Sequence, residues 1–413
     1  MTDYDRFLSP IGRQLHESAI RRMGTVVAKA TDLVSFAAGY PDPSLFPWDD
    51  LREIAARLLT GADGSVLQYG PTRGYTPLLE SILDVLRARD IRATLDQVMV
   101  TSGSQQGLDL IARVMISPGD VVLVELPAYT GAISAFKNMQ ARLVGVRQED
   151  DGIDLEDLDL QWQRERAAGR AVKLVYLVPN FQNPTGLLLG AAKRLALLEW
   201  AERRDVLVVE DDPYGVLYFD DVTRAADTRP IRADDVTGRV IYLSTFSKTL
   251  APGFRVGWMT APAALIERFD AAKQAADLTS GVFDQRMVHE AVKAGVLERI
   301  APRLRALYRS KREVMEAALR AAFGDRLTWP TPRGGFFIWV TLPSGVDDVS
   351  LLARALEERL VFVIGSAFYV DGQGHDRIRL SFSAAPAERI EEGVRRLARL
   401  LRPAAVGSGT GNR

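Results

Sequence analysis

Seven short apolar runs follow one another between residues 97 and 260, and longer stretches with helical periodicity separate several of them. The runs are nearly continuous in apolar residues, whereas a strand with one solvent-facing side would alternate. This pattern predicts buried strands in a doubly wound, mainly parallel sheet with helices on both faces. The predicted strands span residues 97–103, 119–127, 141–146, 172–179, 205–211, 239–244 and 255–260.

The pattern changes near residue 292, where a long arginine-rich amphipathic stretch begins that predicts a helix to about residue 322. Three more apolar runs and two helical stretches follow it. They predict strands within 336–342, 360–365 and 377–382, and helices over 349–359 and 386–402.

We therefore predict an α/β fold with a large domain over residues 36–291, which holds a seven-stranded, mainly parallel sheet. A smaller α+β domain is predicted over residues 292–402. The first ~30 residues lack a strand pattern, and the segment of residues 1–35 is predicted to pack on the small domain and the active site. The small and polar residues 403–413 predict a disordered tail.

Composition narrows the classes of function. The 413 residues carry a net charge of −1, which gives no electrostatic case for binding nucleic acid or an anionic membrane. No apolar stretch approaches the ~18 residues that span a bilayer, and the N-terminus lacks a signal core, so we expect a cytoplasmic protein. Cysteine is absent, and His16, His289 and His375 lie far apart, so neither thiolate chemistry nor a metal site is expected.

Polar residues follow five of the predicted strands directly. In open α/β sheets, ligands bind beyond the carboxyl ends of the strands. Each polar segment alone is also typical of a helix N-cap, a turn or a loop. Five in succession predict a ligand site. The segments are 101–106, 127–129, 180–186, 210–214 and 245–248.

Lys248 ends one of these segments, although most lysines are solvated surface charges. The hydroxyl residues Thr245 and Ser247 precede it, and Arg255 follows. Together with backbone N–H groups at the helix start near Ser104, these groups would hold a phosphate. The pattern predicts a pocket for a phosphorylated aromatic cofactor.

The other segments supply partners for the ring of such a cofactor. Tyr129 would stack on it, and Asp211 would keep a pyridine nitrogen protonated, which makes the ring an electron sink. Asn183 and Tyr214 would hydrogen-bond a ring phenolate oxygen. Lys248 would form a Schiff base with the aldehyde and afterwards carry the proton.

Three motifs in these segments resemble the signature of the fold type I pyridoxal-phosphate aminotransferases of class I/II. They are Asn183-Pro-Thr-Gly, Asp211-x-x-Tyr214, and Ser/Thr-x-Ser-Lys248 followed seven residues later by Arg255. The resemblance extends over roughly residues 10–402. It is closer to the kynurenine/2-aminoadipate aminotransferase branch through residues 36–47, 67–82, 101–111, 125–131 and 379–383.

The resemblance implies an enzyme that moves an amino group between amino acids and 2-oxo acids through pyridoxamine phosphate, with pyridoxal 5'-phosphate as cofactor. Lys248, Asp211 and Tyr214 are then the catalytic residues, and Gln105 joins the cofactor-binding residues. Arg379 binds the substrate α-carboxylate, a bidentate role that suits arginine. Asn183 and, by the same resemblance, Gly39 and Tyr40 contact substrate.

The resemblance also implies a homodimer with shared active sites. Tyr69 would then reach the partner's cofactor and substrate, and Thr279 or Ser280 would approach the partner's phosphate. The local sequence LTSGVFDQ departs from the usual pattern there. It further implies cis peptide bonds before Pro184 and Pro127.

The sequence is least informative about the side of the pocket that selects the substrate. Alignment with the resembled branch puts Arg21, or its neighbour Arg22, where an arginine can meet the distal carboxylate of glutamate or 2-aminoadipate. A solvated arginine is the alternative. The large residues Tyr40, Tyr69, Phe181 and Phe283 favour aromatic or long aliphatic substrates as well. We expect dual specificity, with glutamate and 2-oxoglutarate as one donor–acceptor pair.

Three alternatives stay open. A lyase, racemase or decarboxylase of the same fold can carry the same lysine and aspartate. An aminotransferase of a specialised pathway would act on an unusual amino acid. Transcription regulators with this fold carry a winged-helix domain ahead of it, whereas about 35 residues precede the Ala37–Pro43 loop here.

Overall fold

The structure is a computed structural model that describes residues 2–15 and 32–401. It contains a strand for each of the seven apolar runs, all in one sheet. The strands of the described residues are β1 (Val34–Ser35), β2 (Val98–Thr101), β3 (Val121–Leu126), β4 (Arg142–Glu149), β5 (Gly152–Ile153), β6 (Val172–Leu177), β7 (Leu207–Asp211), β8 (Val240–Thr245), β9 (Gly257–Thr260), β10 (Phe337–Thr341), β11 (Leu360–Val361), β12 (Val363–Ile364) and β13 (Arg377–Ser381).

The main sheet has the order β2-β9-β8-β7-β6-β3-β4-β5, so the predicted count of seven strands was one too few. The additional strand β5 is only two residues long and pairs antiparallel with the end of β4. Such a short segment carries no periodicity. The chain reverses into it at Gly152, whose positive φ of 107° suits glycine.

The sheet is covered on both faces, as the continuous apolar runs predicted. Val122 and Val124 belong to one buried cluster, whereas Val121 and Leu123 belong to another, because successive side chains of a strand point to opposite faces. Strands β4, β3, β6, β7 and β8 run parallel. Their carboxyl ends therefore lie at one edge, where the predicted polar segments begin.

Helices connect and cover these strands. The amphipathic stretch predicted from 292 to 322 is two helices, because the chain breaks at Gly295 with a left-handed φ of 67°. The helices of the described residues are α1 (Pro10–Gln14), α2 (Trp48–Thr60), α3 (Thr76–Arg87), α4 (Ser104–Met115), α5 (Thr130–Asn138), α6 (Leu155–Ala167), α7 (Ala191–Arg204), α8 (Ala263–Ala276), α9 (Val282–Lys293), α10 (Val296–Phe323), α11 (Asp348–Glu357) and α12 (Ala387–Leu400).

A second, antiparallel sheet has the order β10-β13-β12. Its central strand carries Arg379, which pairs in register with Trp339 on one side and Val363 on the other. The apolar run at 360–365 forms two short strands, β11 and β12, and β11 pairs with β1 near the N-terminus. This pairing brings residues 34–35 beside the C-terminal part of the chain, ahead of the loop that Gly39 and Tyr40 occupy.

The predicted boundaries at residues 35, 291 and 402 stay predictions, and residues 403–413 and most of the N-terminal segment lie outside the described residues. Both predicted cis peptide bonds, Leu126–Pro127 and Asn183–Pro184, are present. Within residues 2–15 and 32–401, none of the helices combines the length and the apolar character needed to cross a membrane.

Candidate active site

Lys248 follows β8 at the carboxyl edge of the main sheet, where its Nζ donates a hydrogen bond to the Gly39 carbonyl oxygen at 3.1 Å. Burial lowers the pKa of this amine to about 8, and the positive charges of Arg255 and Arg379 act in the same direction. The negative charge of Asp211 opposes them. A large fraction of Lys248 is thus neutral near pH 8, in the form that can act as a nucleophile and base.

Asp211 ends the neighbouring strand β7 and is only 3% exposed. Its Oδ2 accepts a hydrogen bond from the Tyr176 hydroxyl at 3.0 Å, whereas its Oδ1 has no partner among the described residues. Burial raises the carboxyl pKa to about 7, the Tyr176 hydrogen bond lowers it, and the Asp212 charge raises it again. The carboxyl group therefore keeps one buried oxygen available for a cationic donor.

The next residue, Asp212, is equally buried but has partners on both oxygens. Its Oδ1 accepts from Asn180 Nδ2 and from the Gly215 amide, each at 2.9 Å. Its Oδ2 accepts from Tyr242 at 3.2 Å and Arg89 at 3.1 Å. Asp212 therefore has a structural role, and the register that places a free carboxylate oxygen at Asp211 agrees with the motif.

The predicted phosphate residues meet at the N-terminus of α4. Arg255 Nη2 donates to the Ser102 carbonyl oxygen at 3.0 Å, and Gly103 has a φ of 77°. A Cβ at Gly103 would lie 2.4 Å from that guanidinium nitrogen, so only glycine allows the approach. The buried hydroxyl of Ser104 has no partner among the described residues.

The two hydroxyl residues before Lys248 face each other in the same region. Thr245 Oγ1 lies 2.8 Å from Ser247 Oγ and 3.1 Å from the Val256 carbonyl oxygen, and it accepts a hydrogen bond from the Ser247 amide at 3.1 Å. These contacts fix both hydroxyl groups between β8 and the segment that leads from Arg255 into β9.

Tyr129 and Gln105 lie together beside this helix start. Tyr129 immediately precedes α5, and its hydroxyl is 3.5 Å from Gln105 Oε1. Gln105 Nε2 donates to the Gly131 carbonyl oxygen at 3.0 Å. Gln105 therefore links the segment that follows β3 to the start of α4, which follows β2, although β2 and β3 are not neighbours in the sheet.

Asn183 connects the ring side to the substrate side. Its Oδ1 accepts from Arg379 Nη1 at 2.7 Å, and its side chain also hydrogen-bonds Tyr214. Burial raises the pKa of Tyr214 well above its ordinary value, and the charge of Tyr129 adds to this effect. Tyr214 is therefore a neutral hydrogen-bond donor at physiological pH.

Arg379 is 1% exposed and lies with its guanidinium carbon 4.3 Å from the centre of the Phe337 ring. Its Nη2 donates to the Ala37 carbonyl oxygen at 2.5 Å, and its Nε has no partner among the described residues. Burial lowers its pKa to about 10, which leaves it charged at neutral pH. A Cβ at Gly39 would lie 2.7 Å from Phe337, so glycine lets the main chain pass over this ring.

Some predicted residues are not brought into this cluster. Tyr69 is 79% exposed and Tyr40 is 58% exposed. Arg21 and Arg22 lie outside the described residues. Phe181 is fully buried against Gly334 and Gly335, and Phe283 is partly buried and packs on the core, so their place beside the substrate stays a prediction.

Sequence reasoning missed two groups that hold the site. Tyr176 orients Asp211 but sits inside an apolar run, where its hydroxyl gave no signal. Gln182 donates to Glu125 Oε2 at 3.0 Å and to the Pro127 carbonyl oxygen at 2.7 Å. It thereby ties the loop that carries Asn183 to the end of β3. Burial raises the pKa of the Glu125 carboxyl to about 7.

Comparison with known proteins identifies the family to which the chain belongs. Residues 31–397 match the family model described as aminotransferase class I and II. The chain belongs to this family. It is 38% identical to an aromatic-amino-acid aminotransferase of Thermococcus litoralis, over 97% of this chain and 95% of the relative. It is 39% identical to a 2-aminoadipate transaminase of Thermus thermophilus, over 94% and 95%.

A solved structure agrees with these relatives. A kynurenine aminotransferase of Pyrococcus horikoshii, in complex with PMP, is 39% identical, covers 97% of this chain and 98% of its own, and superposes with a TM-score of 0.91. The fold type I prediction and the prediction of a pyridoxal-phosphate-dependent aminotransferase are therefore confirmed. The enzyme transfers amino groups between amino acids and 2-oxo acids.

The residues of this aminotransferase fit its cofactor at two separate points. The free Oδ1 of Asp211 suits a protonated ring nitrogen, and the buried Ser104 hydroxyl at a helix N-terminus suits a phosphate. Buried polar atoms rarely lack partners, so two such atoms at the two predicted contact points support the fit. The free Nε of Arg379 suits a carboxylate in the same way.

His375 joins an acidic pair away from this site. Its Nδ1 lies 3.0 Å from Asp348 Oδ1 and 3.5 Å from Asp347 Oδ2. Both carboxylates also accept backbone hydrogen bonds, Asp347 from Ser350 and Asp348 from Ser366. The contacts account for the cluster as a helix cap and a loop anchor.

Proposed function

We propose that Lys248 is the nucleophile and proton carrier of this aminotransferase. The observation that supports the proposal is the buried position of the Lys248 amine, where its pKa is lowered. The charges of Asp211, Arg255 and Arg379 lie close enough to affect this pKa. Perturbed pKa values of this kind cluster at functional sites. Bound pyridoxal phosphate supplies the electron sink that lets the substrate lose its Cα proton. Lys248 Nζ accepts this proton and, as an ammonium group, holds it for return.

Asp211 keeps the ring nitrogen protonated through its Oδ1, and Tyr176 holds the carboxylate in position from the other oxygen. The pairing with a cationic N–H favours the charged carboxylate, although without it burial, as the largest cause, raises the Asp211 pKa to about 7. Tyr214 and Asn183 hydrogen-bond the ring phenolate oxygen. Their hydrogen bonds favour the unprotonated oxygen, and Tyr129 stacks on the ring.

The phosphate is bound by Ser104, Thr245, Ser247 and Arg255, with Gln105 beside them. The N-terminus of α4 contributes partial positive charge, and Arg255 contributes a full charge. A buried, preorganised anion site of this kind fixes the cofactor relative to Lys248, so that the reacting atoms stay aligned through the cycle.

Arg379 binds the α-carboxylate that all amino-acid substrates share. Its planar guanidinium offers a bidentate pair of donors, and its contacts with Asn183 and Phe337 hold it in one orientation. Gly39, whose carbonyl oxygen contacts Lys248, and Tyr40 line the approach. The carboxylate contact positions Cα but does not distinguish one amino acid from another.

We infer that one donor–acceptor pair is glutamate and 2-oxoglutarate, and that 2-aminoadipate, aromatic or long aliphatic amino acids serve as partners. The names of the Thermococcus, Thermus and Pyrococcus relatives support both kinds of substrate. We propose Arg21, with Arg22 as the competing choice, for the distal carboxylate. An aminotransferase of a specialised pathway remains the alternative.

We further propose a cytoplasmic homodimer with shared active sites. The exposure of Tyr69 and of its neighbour Leu67, at 79% and 75%, supports a partner-covered surface, because large apolar side chains exposed together mark interaction sites. Tyr69 then reaches the partner's active site. The absence of cysteine supports a reducing compartment.

A panel of donors tests the substrate assignment. The enzyme should turn over glutamate and at least one aromatic or aliphatic amino acid. Arg21→Ala should raise the Michaelis constant for glutamate about tenfold or more, the loss expected for a charge-assisted contact, and leave the apolar donor almost unchanged. Arg22→Ala is measured in parallel, and a loss for glutamate in that variant instead would assign the contact to Arg22. Equal losses for both donors would make Arg21 structural, and inactivity toward glutamate would favour a specialised pathway.

A further inference from the structure

A lysine that the mechanism does not use is fully buried behind the proposed phosphate site. Lys273, in α8, is 0% exposed. Its Nζ donates to Asp277 Oδ1 at 2.7 Å, to Gln106 Oε1 at 2.8 Å and to Ser280 Oγ at 3.1 Å. All three ammonium protons therefore have a partner, and the partners come from two segments of the chain, the first turn of α4 and the stretch that follows α8.

The same groups enclose Ser102, the residue before Gly103. Its hydroxyl donates to Asp277 Oδ2 at 3.0 Å and lies 3.0 Å from Ser280 Oγ. Its amide donates to Gln106 Oε1 at 2.8 Å, and Gln106 Nε2 donates to Asp277 Oδ2 at 2.6 Å. We call Lys273, Asp277, Gln106, Ser102 and Ser280 the Lys273 cluster.

The donors and acceptors of the Lys273 cluster form one consistent network. Ser102 donates its hydroxyl proton to Asp277, which leaves its oxygen to accept the proton of Ser280, and Ser280 in turn accepts from Lys273. Burial favours the neutral form of Asp277, but the hydrogen bonds from Lys273, Gln106 and Ser102 and the charge of Lys273 together hold the carboxyl pKa below its ordinary value. Asp277 is therefore a carboxylate at neutral pH, and its charge and hydrogen bond oppose the burial that lowers the pKa of Lys273.

The cluster ends at the group that binds the phosphate. The Ser102 carbonyl oxygen accepts the hydrogen bond from Arg255 Nη2, and the next two residues are Gly103 and the first residue of α4, Ser104. Ser102 is thus held by its hydroxyl and amide on the Lys273 side, and it holds Arg255 by its carbonyl group. Any shift of Ser102 would move the arginine and the helix start together.

We propose that the Lys273 cluster positions Ser102, and through it Arg255 and the N-terminus of α4, to receive the cofactor phosphate. The inference rests on the proposed phosphate site. A buried ion pair is weak evidence for stability, because desolvation offsets much of its attraction. A network in which the three ammonium protons of Lys273 all have partners and one member directly orients Arg255 is better explained by positioning.

The family resemblance implies that Thr279 or Ser280 approaches the partner's phosphate, but both side chains make hydrogen bonds within this chain. Ser280 is 4% exposed and its hydroxyl is committed to the Lys273 cluster. Thr279 Oγ1 lies 3.2 Å from the Pro71 carbonyl oxygen. The side chain of Ser280 therefore serves this chain's own phosphate site.

Apoenzyme binding of pyridoxal phosphate and of pyridoxal, which lacks the phosphate, tests the proposal. The double variant Lys273→Met/Asp277→Leu removes both charges with apolar replacements, so that neither is left buried without its partner. Lys193→Met is the matched control, since Lys193 pairs with Glu149 and Asp151 on the side of α7. The thermal midpoint of each apoenzyme is measured in parallel.

We expect the dissociation constant for pyridoxal phosphate to rise about tenfold in the double variant, with that for pyridoxal changed less than about twofold. The Lys193→Met variant should bind both as the unmutated enzyme does. Unchanged binding of both ligands by the double variant, or equal weakening of both, would overturn the proposal and leave the phosphate site intact. If the unmutated apoenzyme binds the two equally, the phosphate site itself is wrong and the inference falls with it.

Discussion

The cofactor side and the substrate side of this site are built in different ways. On the cofactor side, the functional groups are side chains at the ends of adjacent parallel strands, such as Asp211 after β7 and Lys248 after β8. On the substrate side, Arg379 comes from a separate antiparallel sheet, and main-chain carbonyl groups of Ala37 and Gly39 contact Arg379 and Lys248.

This difference separates the chemistry that all substrates of the site share from the choice between substrates. The sheet edge holds the proposed contacts for a ring and a phosphate, which are the same in every turnover. On the substrate side, the proposed contact for the shared carboxylate is the single cation Arg379, beside a main-chain loop. Substrate choice must then depend on groups that act beyond Arg379, and the predictions below test the two sides separately.

The largest effect is expected at Lys248. Replacement by alanine removes the nucleophile and the proton carrier together, so turnover should fall by at least about a thousandfold. The purified variant should remain folded, which circular dichroism can establish. Substantial residual turnover with every donor would place the essential amine elsewhere.

The two adjacent aspartates should separate chemistry from structure. Asp211→Asn should lower turnover about a hundredfold or more while the cofactor still binds, because the ring nitrogen loses its counter-charge. Asp212→Asn should instead lower the free energy of unfolding by about 3 kcal/mol, because Arg89 loses its buried partner. Steady-state kinetics and denaturant unfolding of both variants provide the comparison, and the reverse pattern would shift the register by one.

On the substrate side, a change at Arg379 should weaken the binding of amino-acid substrates. Arg379→Lys should raise the Michaelis constants of all amino-acid donors by about ten- to a hundredfold, because lysine cannot make the bidentate contact. The affinity for pyridoxal phosphate should change little, which equilibrium titration of the apoenzyme measures. A loss confined to glutamate would mean that Arg379 binds the distal carboxylate.

The smallest effect is a dependence of apoenzyme stability on pH. Burial raises the Asp211 pKa from its ordinary value of 3.8 to about 7. The folded state therefore binds this proton more tightly, and the resulting stability is present below pH 3.8 and lost as the pH rises to about 7. Asparagine does not titrate, so the apoenzyme of Asp211→Asn should gain about 1–3 kcal/mol over the unmutated apoenzyme between pH 4 and pH 8.

Denaturant unfolding of the two apoenzymes across this range gives the difference. Other titrating groups are common to both proteins, so they cancel. A difference that is flat with pH, or that falls as the pH rises, would contradict the raised pKa of Asp211.

Much of this architecture was predictable, because continuous apolar runs indicate buried strands and the spacing of the motifs indicates which strand ends carry the site. The seven runs predicted their strands, and the polar segments predicted which residues meet at the edge. The eighth strand at Gly152 is too short for a period. The helix break at Gly295 lies within an amphipathic pattern that continues on both sides.

The supporting groups of the site were less predictable, for a physical reason. Tyr176 and Lys273 act from inside an apolar strand and a helix, where neither position differs from its neighbours in pattern. Their roles depend on contacts 35 residues away for Asp211 and 167 residues away for Gln106. Main-chain acceptors such as Ala37 leave no mark in side-chain patterns.

The most direct test of the central claim is to identify the lysine that bonds the cofactor. The enzyme with bound pyridoxal phosphate is reduced with borohydride, digested, and its peptides are analysed by mass spectrometry. The account predicts one pyridoxyl adduct per chain, on Lys248, the amine whose pKa burial lowers to about 8. Stoichiometric labelling of any other lysine, or of none, would contradict it.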